Sequence, residues 1–347
     1  MKNNRLLYLL VIILTIWCII LSVLLNNNAN TTKNINEYNV SGFSTDFTEV
    51  IEKDKASVVT IKTDVGISSG FVYDQKGDNV YIVTSFHGVS NANSISVIFA
   101  NTYAVNGEIV GTDIYADLAL LKVNCPYSVS PLNFADSSLV KQGEFVISIG
   151  TPTNLDYAGS VELGMVSSKD LTIDNTIGFE ANLINYYVDV IQTSSNLKTG
   201  YSGSPLINMN GDVIGMNTMS INTSNAFAIT SNEIKIIVDN MLNGKKIEKI
   251  QLGISGTYVK NMMNYEKANL NLSINTINGL YVSKVKENSI CFKAGIKVGD
   301  IITNINETPI NSIDDYYAAV YKDTNELSIN ILRNNETISF NISLEND

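Results

Sequence analysis

The stretch Gly200-Tyr201-Ser202-Gly203-Ser204-Pro205 governs how the middle of this chain is interpreted. A short apolar run follows it at once, so the serine lies between glycines on a turn that leads into a strand. Such a turn presents a hydroxyl where backbone N–H groups converge, and converging N–H groups can stabilise the oxyanion of an acyl-transfer transition state. The glycines leave room for a substrate carbonyl and permit unusual φ and ψ values. Taken alone, the pattern also fits an ordinary turn serine.

Two further residues upstream carry the chemistry that such a serine needs. His87, the only histidine, follows a β-prone run, and Asp117 comes 30 residues later at the start of another apolar run. A buried carboxylate needs a partner, and a histidine from a neighbouring strand is a suitable one. The order His87, Asp117, Ser202 is that of the base, acid and nucleophile of chymotrypsin. Each residue also has a plain structural interpretation, as a core histidine, a turn-capping aspartate and a turn serine.

Several motifs occur in one order along the chain: Ile82-Val83-Thr84 with His87, then residues 117–122, 191–206 and 226–233. In this order they resemble the HtrA/DegP-type serine proteases with one C-terminal PDZ domain. The resemblance runs from about Phe47 to the C-terminus. It implies a mainly β fold, in which a chymotrypsin-like domain of two six-stranded barrels is followed by an α+β PDZ domain. His87 and Asp117 would come from the first barrel and Ser202 from the second.

The resemblance also implies roles for residues around the triad. By family position, the N–H groups of Gly200 and Ser202 form the oxyanion hole. The family prefers small aliphatic residues before the cleaved bond, but the polar Asn196 does not fit that preference. The residues expected to line the substrate pocket are Asn196 at its floor and Asn217, Thr218 and Met219 along one wall.

The sequence departs from the family pattern at positions next to the triad. Tyr201 stands where the family usually has Asn, Ser204 replaces the second Gly of Ser-Gly-Gly-Pro, and Gly88 replaces a Val. Residues 194–199, which precede the serine loop, also differ from the family's usual sequence at these positions. None of these changes removes a catalytic atom. A Cβ at Ser204 would strain the loop if φ there had to be positive.

Residues 250–345 resemble a PDZ domain, most clearly over residues 294–306. PDZ domains bind an extended peptide along a sheet edge and capture its C-terminal carboxylate with loop N–H groups. By family position, Leu252-Gly253-Ile254 forms the carboxylate loop and opens the strand that binds the peptide. The alternative is that these three residues are only a strand start and core.

Composition excludes several classes of function. The formal net charge is −11, and an acidic exterior argues against nucleic acid as a partner. The three cysteines, Cys18, Cys125 and Cys291, are far apart, which excludes a disulfide framework and a cysteine-rich metal site. One histidine makes a His-based zinc site implausible. We therefore expect no metal and no other cofactor, and activity that EDTA leaves intact.

The N-terminus carries an uncharged apolar run over residues 6–25, about the length that spans a bilayer. Lys2 and Arg5 precede it, which predicts a cytoplasmic N-terminus and an extracytoplasmic bulk. We expect a signal anchor over residues 1–28, a flexible tether over 29–46 and a protease domain over 47–243. The alternative is a cleaved signal peptide, although the run exceeds the usual apolar region and no small-x-small site follows it.

The function implied by the resemblance is ATP-independent cleavage of unfolded or misfolded proteins outside the cytoplasm by a homotrimer. One N-terminal helix would anchor the chain in the membrane, and the PDZ domain would bind peptide C-termini. Two other classes stay open. One is an inactive or weakly active scaffold that holds peptides, and the other is an esterase or acyltransferase that uses the same triad.

Overall fold

A computed structural model describes residues 14–17, 47–179, 182–222, 225–245, 249–322 and 324–344. The chain divides into two units, Met1–Asp46 and Phe47–Asp347. In the first unit the described residues 14–17 are helical and exposed.

None of the helices in the described ranges combines the length and apolarity that a bilayer crossing requires. The anchor expected over residues 6–25 falls outside the described residues, apart from residues 14–17. The tether expected over 29–46 lies wholly outside them.

The second unit opens with a helix and an antiparallel sheet. Helix α1 (Phe47–Asp54), as expected from its apolar spacing, leads through a 3₁₀ turn (Lys55–Ser57) into the first strand. The strands are β1 (Val58–Thr63), β2 (Ile67–Lys76), β3 (Asn79–Ser85), β4 (Ile95–Ile98), β5 (Ala104–Asn106), β6 (Glu108–Asp113) and β7 (Leu118–Asn124). They pair in the order β5-β4-β1-β2-β3-β7-β6. Their inward side chains, among them Ile61, Val72 and Leu121, are completely buried. The first barrel region thus has seven described strands rather than the expected six.

A second sheet follows and closes on itself. Its strands are β8 (Asn133–Phe134), β9 (Phe145–Gly150), β10 (Ser160–Phe179), β11 (Asn182–Thr193), β12 (Pro205–Ile207), β13 (Asp212–Asn222) and β14 (Asn225–Thr230). The order is β12-β9-β10-β11-β14-β13-β8, and an additional β12–β13 pairing completes a ring of six strands. The sheet is antiparallel except for the parallel pair β8–β13. The sequence predicted this barrel but not the length of the β10–β11 hairpin.

Helix α2 (Ser231–Leu242) closes the protease domain as predicted. Thr230 caps its N-terminus by accepting a hydrogen bond from the N–H of Glu233. Ile234, Ile237 and Val238 lie at helical spacing and are buried. The apolar stripe therefore fixes which face of α2 packs on the barrel.

The last region forms a third sheet flanked by short helices. Its elements are β15 (Ile254–Tyr258), α3 (Asn264–Asn269), β16 (Leu280–Val285), α4 (Ile290–Ala294), β17 (Ile301–Ile305), β18 (Thr308–Pro309), α5 (Ile313–Val320), β19 (Glu326–Arg333) and β20 (Glu336–Ser343). The order is β15-β16-β17-β19-β20, with β18 paired to β17. The Arg333 guanidinium holds the buried Asp300 carboxylate with two hydrogen bonds of 2.6 and 2.7 Å. The sequence pattern predicts a helix over residues 314–321 and strands over 327–333 and 337–342, and α5, β19 and β20 confirm them.

A buried charged cluster joins this last region to the protease domain. Lys249 Nζ lies 3.1 Å from Glu233 Oε1, and the Tyr321 hydroxyl donates to the same oxygen at 2.9 Å. The Lys249 and Glu233 side chains are 4% and 0% exposed. Burial raises the pKa of the nearby Asp113 to about 6. The hydrogen bond from the Ala116 N–H lowers this pKa, and the negative charge of Glu233 raises it. The buried Glu233 carboxylate therefore connects the protease domain to Lys249 in the linker and to Tyr321 at the end of α5.

Replacing Lys249 by Met should lower the free energy of unfolding by about 3–5 kcal/mol, because the buried Glu233 carboxylate loses its counter-charge. Lys245 is exposed, so Lys245→Met should change stability by less than about 0.5 kcal/mol. Urea titration of both variants and the wild type measures the difference. Equal losses in the two variants would contradict a stabilising role for the buried pair.

Candidate active site

Strand register brings His87 and Asp117 together. Strands β3 and β7 pair antiparallel, with Ser85 opposite Leu118. His87 therefore lies just after one strand end and Asp117 just before the facing strand start. The N–H of Phe86 donates to the Asp117 carbonyl at 2.9 Å, which holds the two loops side by side.

The Asp117 carboxylate is a buried acceptor with three donors. Its Oδ1 accepts the backbone N–H of His87 at 2.9 Å, and its Oδ2 lies 2.7 Å from His87 Nδ1. The Thr218 hydroxyl also donates to Oδ2. The Asp117 side chain is 7% exposed, whereas that of His87 is 54% exposed. The carboxylate is thus fixed inside the protein, and the imidazole it holds faces solvent.

The pKa of His87 reflects two opposed effects. Burial of the ring would lower the pKa, but the hydrogen bond and negative charge of Asp117 outweigh it and raise the pKa above the ordinary 6.5. The imidazole is thereby a stronger base than a free histidine, and its positive form is stabilised. Both properties suit a group that accepts a proton and returns it.

The backbone of Asp117 adopts φ +50, in the left-handed region. Aspartate and asparagine enter this region more readily than most residues because their short polar side chains bond locally. This conformation turns the chain from the Asp113 loop into β7 while the carboxylate points at His87. This backbone conformation thus favours Asp, Asn or Gly, and of these only Asp supplies a carboxylate.

Ser202 lies on the loop between β11 and β12, against the first barrel. The N–H of Ser69 on β2 donates to the Ser202 carbonyl at 2.9 Å. The Ser202 hydroxyl donates to the Thr218 carbonyl at 3.1 Å. Within the described part of the chain, no hydrogen bond joins His87 to Ser202. Thr218 contacts both halves of the site, through its hydroxyl on Asp117 and its carbonyl on Ser202.

Two glycines of the serine loop are required by their surroundings. Gly203 has φ +84, and a Cβ there would lie 2.2 Å from the Ser69 carbonyl oxygen. Gly200 has φ +102, and a Cβ there would lie 2.2 Å from the Thr151 carbonyl oxygen. Ser204, by contrast, does not have a positive φ and is completely buried. The serine at this position therefore introduces no backbone strain.

The expected oxyanion donors are unengaged. Among the described residues, neither the N–H of Gly200 nor that of Ser202 donates a hydrogen bond. Two free N–H groups beside a serine hydroxyl are what an oxyanion requires.

The structure describes the side chains of three of the four residues expected to line the substrate pocket. Asn196 is exposed, whereas Asn217 is 1% exposed and its Nδ2 donates to Ser148 Oγ and Ser204 Oγ at 3.0 Å each. The side chain of Thr218 is buried on Asp117, and that of Met219 lies outside the described side chains. The side chains of Asn217 and Thr218 thus bond residues around the site, and the expected pocket wall stays a prediction.

Replacing Thr218 by Val should lower kcat about tenfold, because Asp117 loses a charge-assisted hydrogen bond of about 1.5–3 kcal/mol, only part of which acts in the transition state. Thr218→Ser keeps the hydroxyl and should stay close to wild type. Steady-state hydrolysis of a peptide ester by both variants measures kcat. Equal losses in the Val and Ser variants would rule out the hydroxyl as the cause.

The expected peptide-binding loop has the geometry of a tight turn at a sheet edge. Gly253 has φ +72, and a Cβ there would lie 2.1 Å from Ser289 Cβ. Leu252 and Ile254 are 1% and 4% exposed, so their side chains belong to the core. In the described ranges β15 pairs with β16 alone, and β10 of the protease domain approaches it.

Comparison with known proteins agrees with this architecture. The trypsin-like peptidase domain family matches residues 68–216, and the PDZ domain family matches residues 251–344. The serine protease Do-like HtrA of Lactobacillus helveticus is 31% identical over 287 residues, which cover 80% of this chain and 68% of that protein. The chain belongs to the HtrA family of serine proteases.

Other HtrA relatives extend the match. HtrA of Bacillus subtilis is 32% identical over 82% of this chain and 64% of its own length. The periplasmic serine endoprotease DegP of Salmonella typhimurium is 32% identical over 81% of this chain and 57% of its own length. The chain thus spans roughly three fifths to two thirds of these relatives.

Solved HtrA structures share the fold. The HtrA-type protease AlgW with a tripeptide superposes with a TM-score of 0.60 at 21% identity, over 86% of this chain and 96% of AlgW. The serine endoprotease from Yersinia pestis gives a TM-score of 0.55 at 24% identity, over 87% of this chain and 98% of that one. The expected family, the mainly β protease domain and the single PDZ domain are confirmed.

Sequence reasoning missed Ser69, and it named Thr218 only as a pocket residue. Ser69 holds the serine loop from the opposite barrel, and Thr218 bonds Asp117 through its hydroxyl. The only local signal for Ser69 was a small polar residue before Gly70 at the start of an apolar strand.

Proposed function

We propose that this HtrA-family chain is a membrane-anchored serine endopeptidase that acts outside the cytoplasm on unfolded or misfolded polypeptides. Ser202 is the nucleophile, His87 the general base and acid, and Asp117 the orienting carboxylate. The observation that carries the proposal is the continuous set of hydrogen bonds from His87 through Asp117 and Thr218 to the Ser202 hydroxyl.

The reaction begins when Ser202 Oγ attacks the carbonyl of the cleaved peptide bond. His87 Nδ1 is bonded to Asp117, so Nε2 is the ring nitrogen that accepts the hydroxyl proton. The same nitrogen then gives that proton to the leaving amine, and an acyl-enzyme forms on Ser202. Water, deprotonated by His87, hydrolyses the acyl-enzyme and restores the serine.

The resting position of Ser202 requires one adjustment before attack. Its hydroxyl is bonded to the Thr218 carbonyl and must turn to His87 Nε2. Hydrogen bonds of resting active sites often tighten only when substrate binds. The N–H groups of Gly200 and Ser202 then receive the negative charge on the substrate oxygen.

The PDZ domain is proposed to bind peptide C-termini at Leu252-Gly253-Ile254. Two observations support it: the positive φ of Gly253, and the position of β15 at the end of its sheet. AlgW, which was solved with peptides, is a structural neighbour. The anchor over residues 1–28 and assembly as a homotrimer extend the proposal on the sequence pattern and the family resemblance.

A fluorophosphonate probe tests the proposal, because it reacts covalently only with an activated serine. Incubation of the purified full chain in mild detergent, followed by mass spectrometry, should find one phosphonyl group on Ser202. Digestion of unfolded casein should run in parallel and survive EDTA. Probe reaction without casein cleavage would favour an esterase, and loss of activity on chelation would contradict the absence of a catalytic metal.

The alternative is a peptide-binding scaffold with little catalysis. The bond from Ser202 to the Thr218 carbonyl favours it, since the nucleophile is not aligned with its base at rest. A chain whose Ser202 stays unlabelled, with or without a peptide that occupies the PDZ domain, would establish the scaffold. Labelling that appears only with the peptide would establish a switched protease.

A further inference from the structure

Ser69 on β2 uses every polar group it has at the boundary between the two barrels. Its hydroxyl donates to the Gly200 carbonyl at 2.7 Å and accepts the N–H of Thr151 at 2.9 Å. Its backbone N–H donates to the Ser202 carbonyl at 2.9 Å. The residue is completely buried, so no water competes for these bonds. Its carbonyl accepts the Thr84 hydroxyl at 2.7 Å. Two of these four bonds end on the loop that carries the nucleophile.

Gly200 is the pivot of that loop. It has no Cβ and lies at φ +102, where glycine alone moves freely. The peptide unit before it carries the oxyanion N–H, and the carbonyl of that unit, Thr199 O, accepts the N–H of Thr153 at 2.9 Å. The N–H and C=O of a planar trans peptide point in opposite directions, so holding Thr199 O directs the Gly200 N–H to the other side.

The peptide unit after Gly200 is held by Ser69. Its carbonyl accepts the Ser69 hydroxyl, and its N–H, that of Tyr201, donates to the Lys198 carbonyl at 3.1 Å, so two hydrogen bonds restrain rotation about ψ of Gly200. Rotation about φ is restrained by the bond of Thr199 O to Thr153. Loss of the Ser69 hydroxyl removes one of the two bonds that restrain ψ.

We propose that Ser69 is a positioning residue of the oxyanion site, whose hydroxyl holds the Gly200 carbonyl and so restrains the loop that carries the N–H groups of Gly200 and Ser202. Ser69 touches no reacting atom and acts through Gly200. The inference rests on the proposed function and adds to it a residue that sets how well the transition state is stabilised. The group recognised is the tetrahedral oxyanion formed from a peptide or ester carbonyl.

The neighbouring Ser68 provides a matched control. It is 3% exposed, but its hydroxyl has no hydrogen-bond partner among the described residues. Removing either hydroxyl deletes one buried oxygen from the same strand. Only Ser69 bonds the loop of Ser202.

In Ser69→Ala, kcat should fall about 10- to 100-fold while KM changes less than about twofold, since an oxyanion donor acts on charge present only in the transition state. A peptide boronate, which forms a tetrahedral adduct on the serine, should bind more weakly by a similar factor. Ser68→Ala should keep the wild-type kcat, KM and boronate affinity.

The experiment uses the full chain in mild detergent, a peptide ester taken from a mapped casein cleavage site, and the boronate of the same sequence. Unchanged kcat and boronate affinity in Ser69→Ala, or equal losses in Ser68→Ala, would overturn the role of Ser69 alone. A wild-type chain that neither hydrolyses the ester nor binds the boronate would overturn the proposed function and this inference with it. If Ser69→Ala does not fold, Ser69→Cys keeps the volume with a weaker donor and should give an intermediate kcat.

Discussion

Ser202→Ala should lower kcat for casein or a peptide ester on the order of 10⁶-fold, because no other group in the site can form the acyl-enzyme. Substrate binding should change little, since the deleted hydroxyl makes one hydrogen bond, to the Thr218 carbonyl. That neutral bond is worth about 1 kcal/mol, so the variant should fold and melt close to wild type. Measuring kcat and the thermal midpoint together separates lost chemistry from lost structure.

The residual activity of this variant is informative. The N–H groups of Gly200 and Ser202 remain, because both belong to the backbone. They should support hydrolysis by water at about 10³- to 10⁴-fold above the uncatalysed rate. Casein cleavage by Ser202→Ala at more than about a hundredth of the wild-type rate would show that another residue is the nucleophile.

The places of His87, Asp117 and Ser202 in the fold could be predicted from sequence, because each depends on local features. His87 and Asp117 stand at the ends of apolar runs that become β3 and β7, and Ser202 lies between glycines that a turn requires. Helix α2 was equally predictable, since its apolar spacing and its cap are contained in a dozen residues. Local patterning and local chemistry agree at these points.

The supporting residues could not be predicted, because each acts on a partner far away in the chain. Ser69 bonds a carbonyl 131 residues later, and Thr218 bonds a carboxylate 101 residues earlier. Asn217, expected at a pocket wall, instead bonds Ser148, which is 69 residues away. Serine, threonine and asparagine are common in turns and strands alike, so their identity alone does not reveal a distant acceptor.

The contact between the domains escaped prediction for a related reason. Residues 243–246, Asn-Gly-Lys-Lys, have the polar composition of a domain boundary, and a lysine such as Lys249 just beyond it would ordinarily be solvated. In the structure Lys249 is buried, because α5 packs against α2 and brings Tyr321 to Glu233. Only the tertiary arrangement turns a linker lysine into a buried ion-pair partner.

Asp117→Asn should lower kcat about 10⁴-fold at neutral pH, although it alters a single atom. The amide oxygen can still accept the His87 N–H, and asparagine tolerates the φ of +50, so the fold should be retained. The amide nitrogen, however, would donate to His87 Nδ1. The imidazole would then carry its proton on Nε2 and could not accept one from Ser202.

The pH dependence of this variant gives a second, independent readout. Activity requires neutral His87, so the rate rises with pH through the pKa of His87. In the wild type, Asp117 raises that pKa above 6.5, and the acid limb of kcat/KM should lie above pH 6.5. Without the charge of Asp117 only burial remains, which lowers the pKa, so the limb should move below pH 6.5. An acid limb that stays in place in Asp117→Asn would mean that Asp117 is not the partner that sets the basicity of His87.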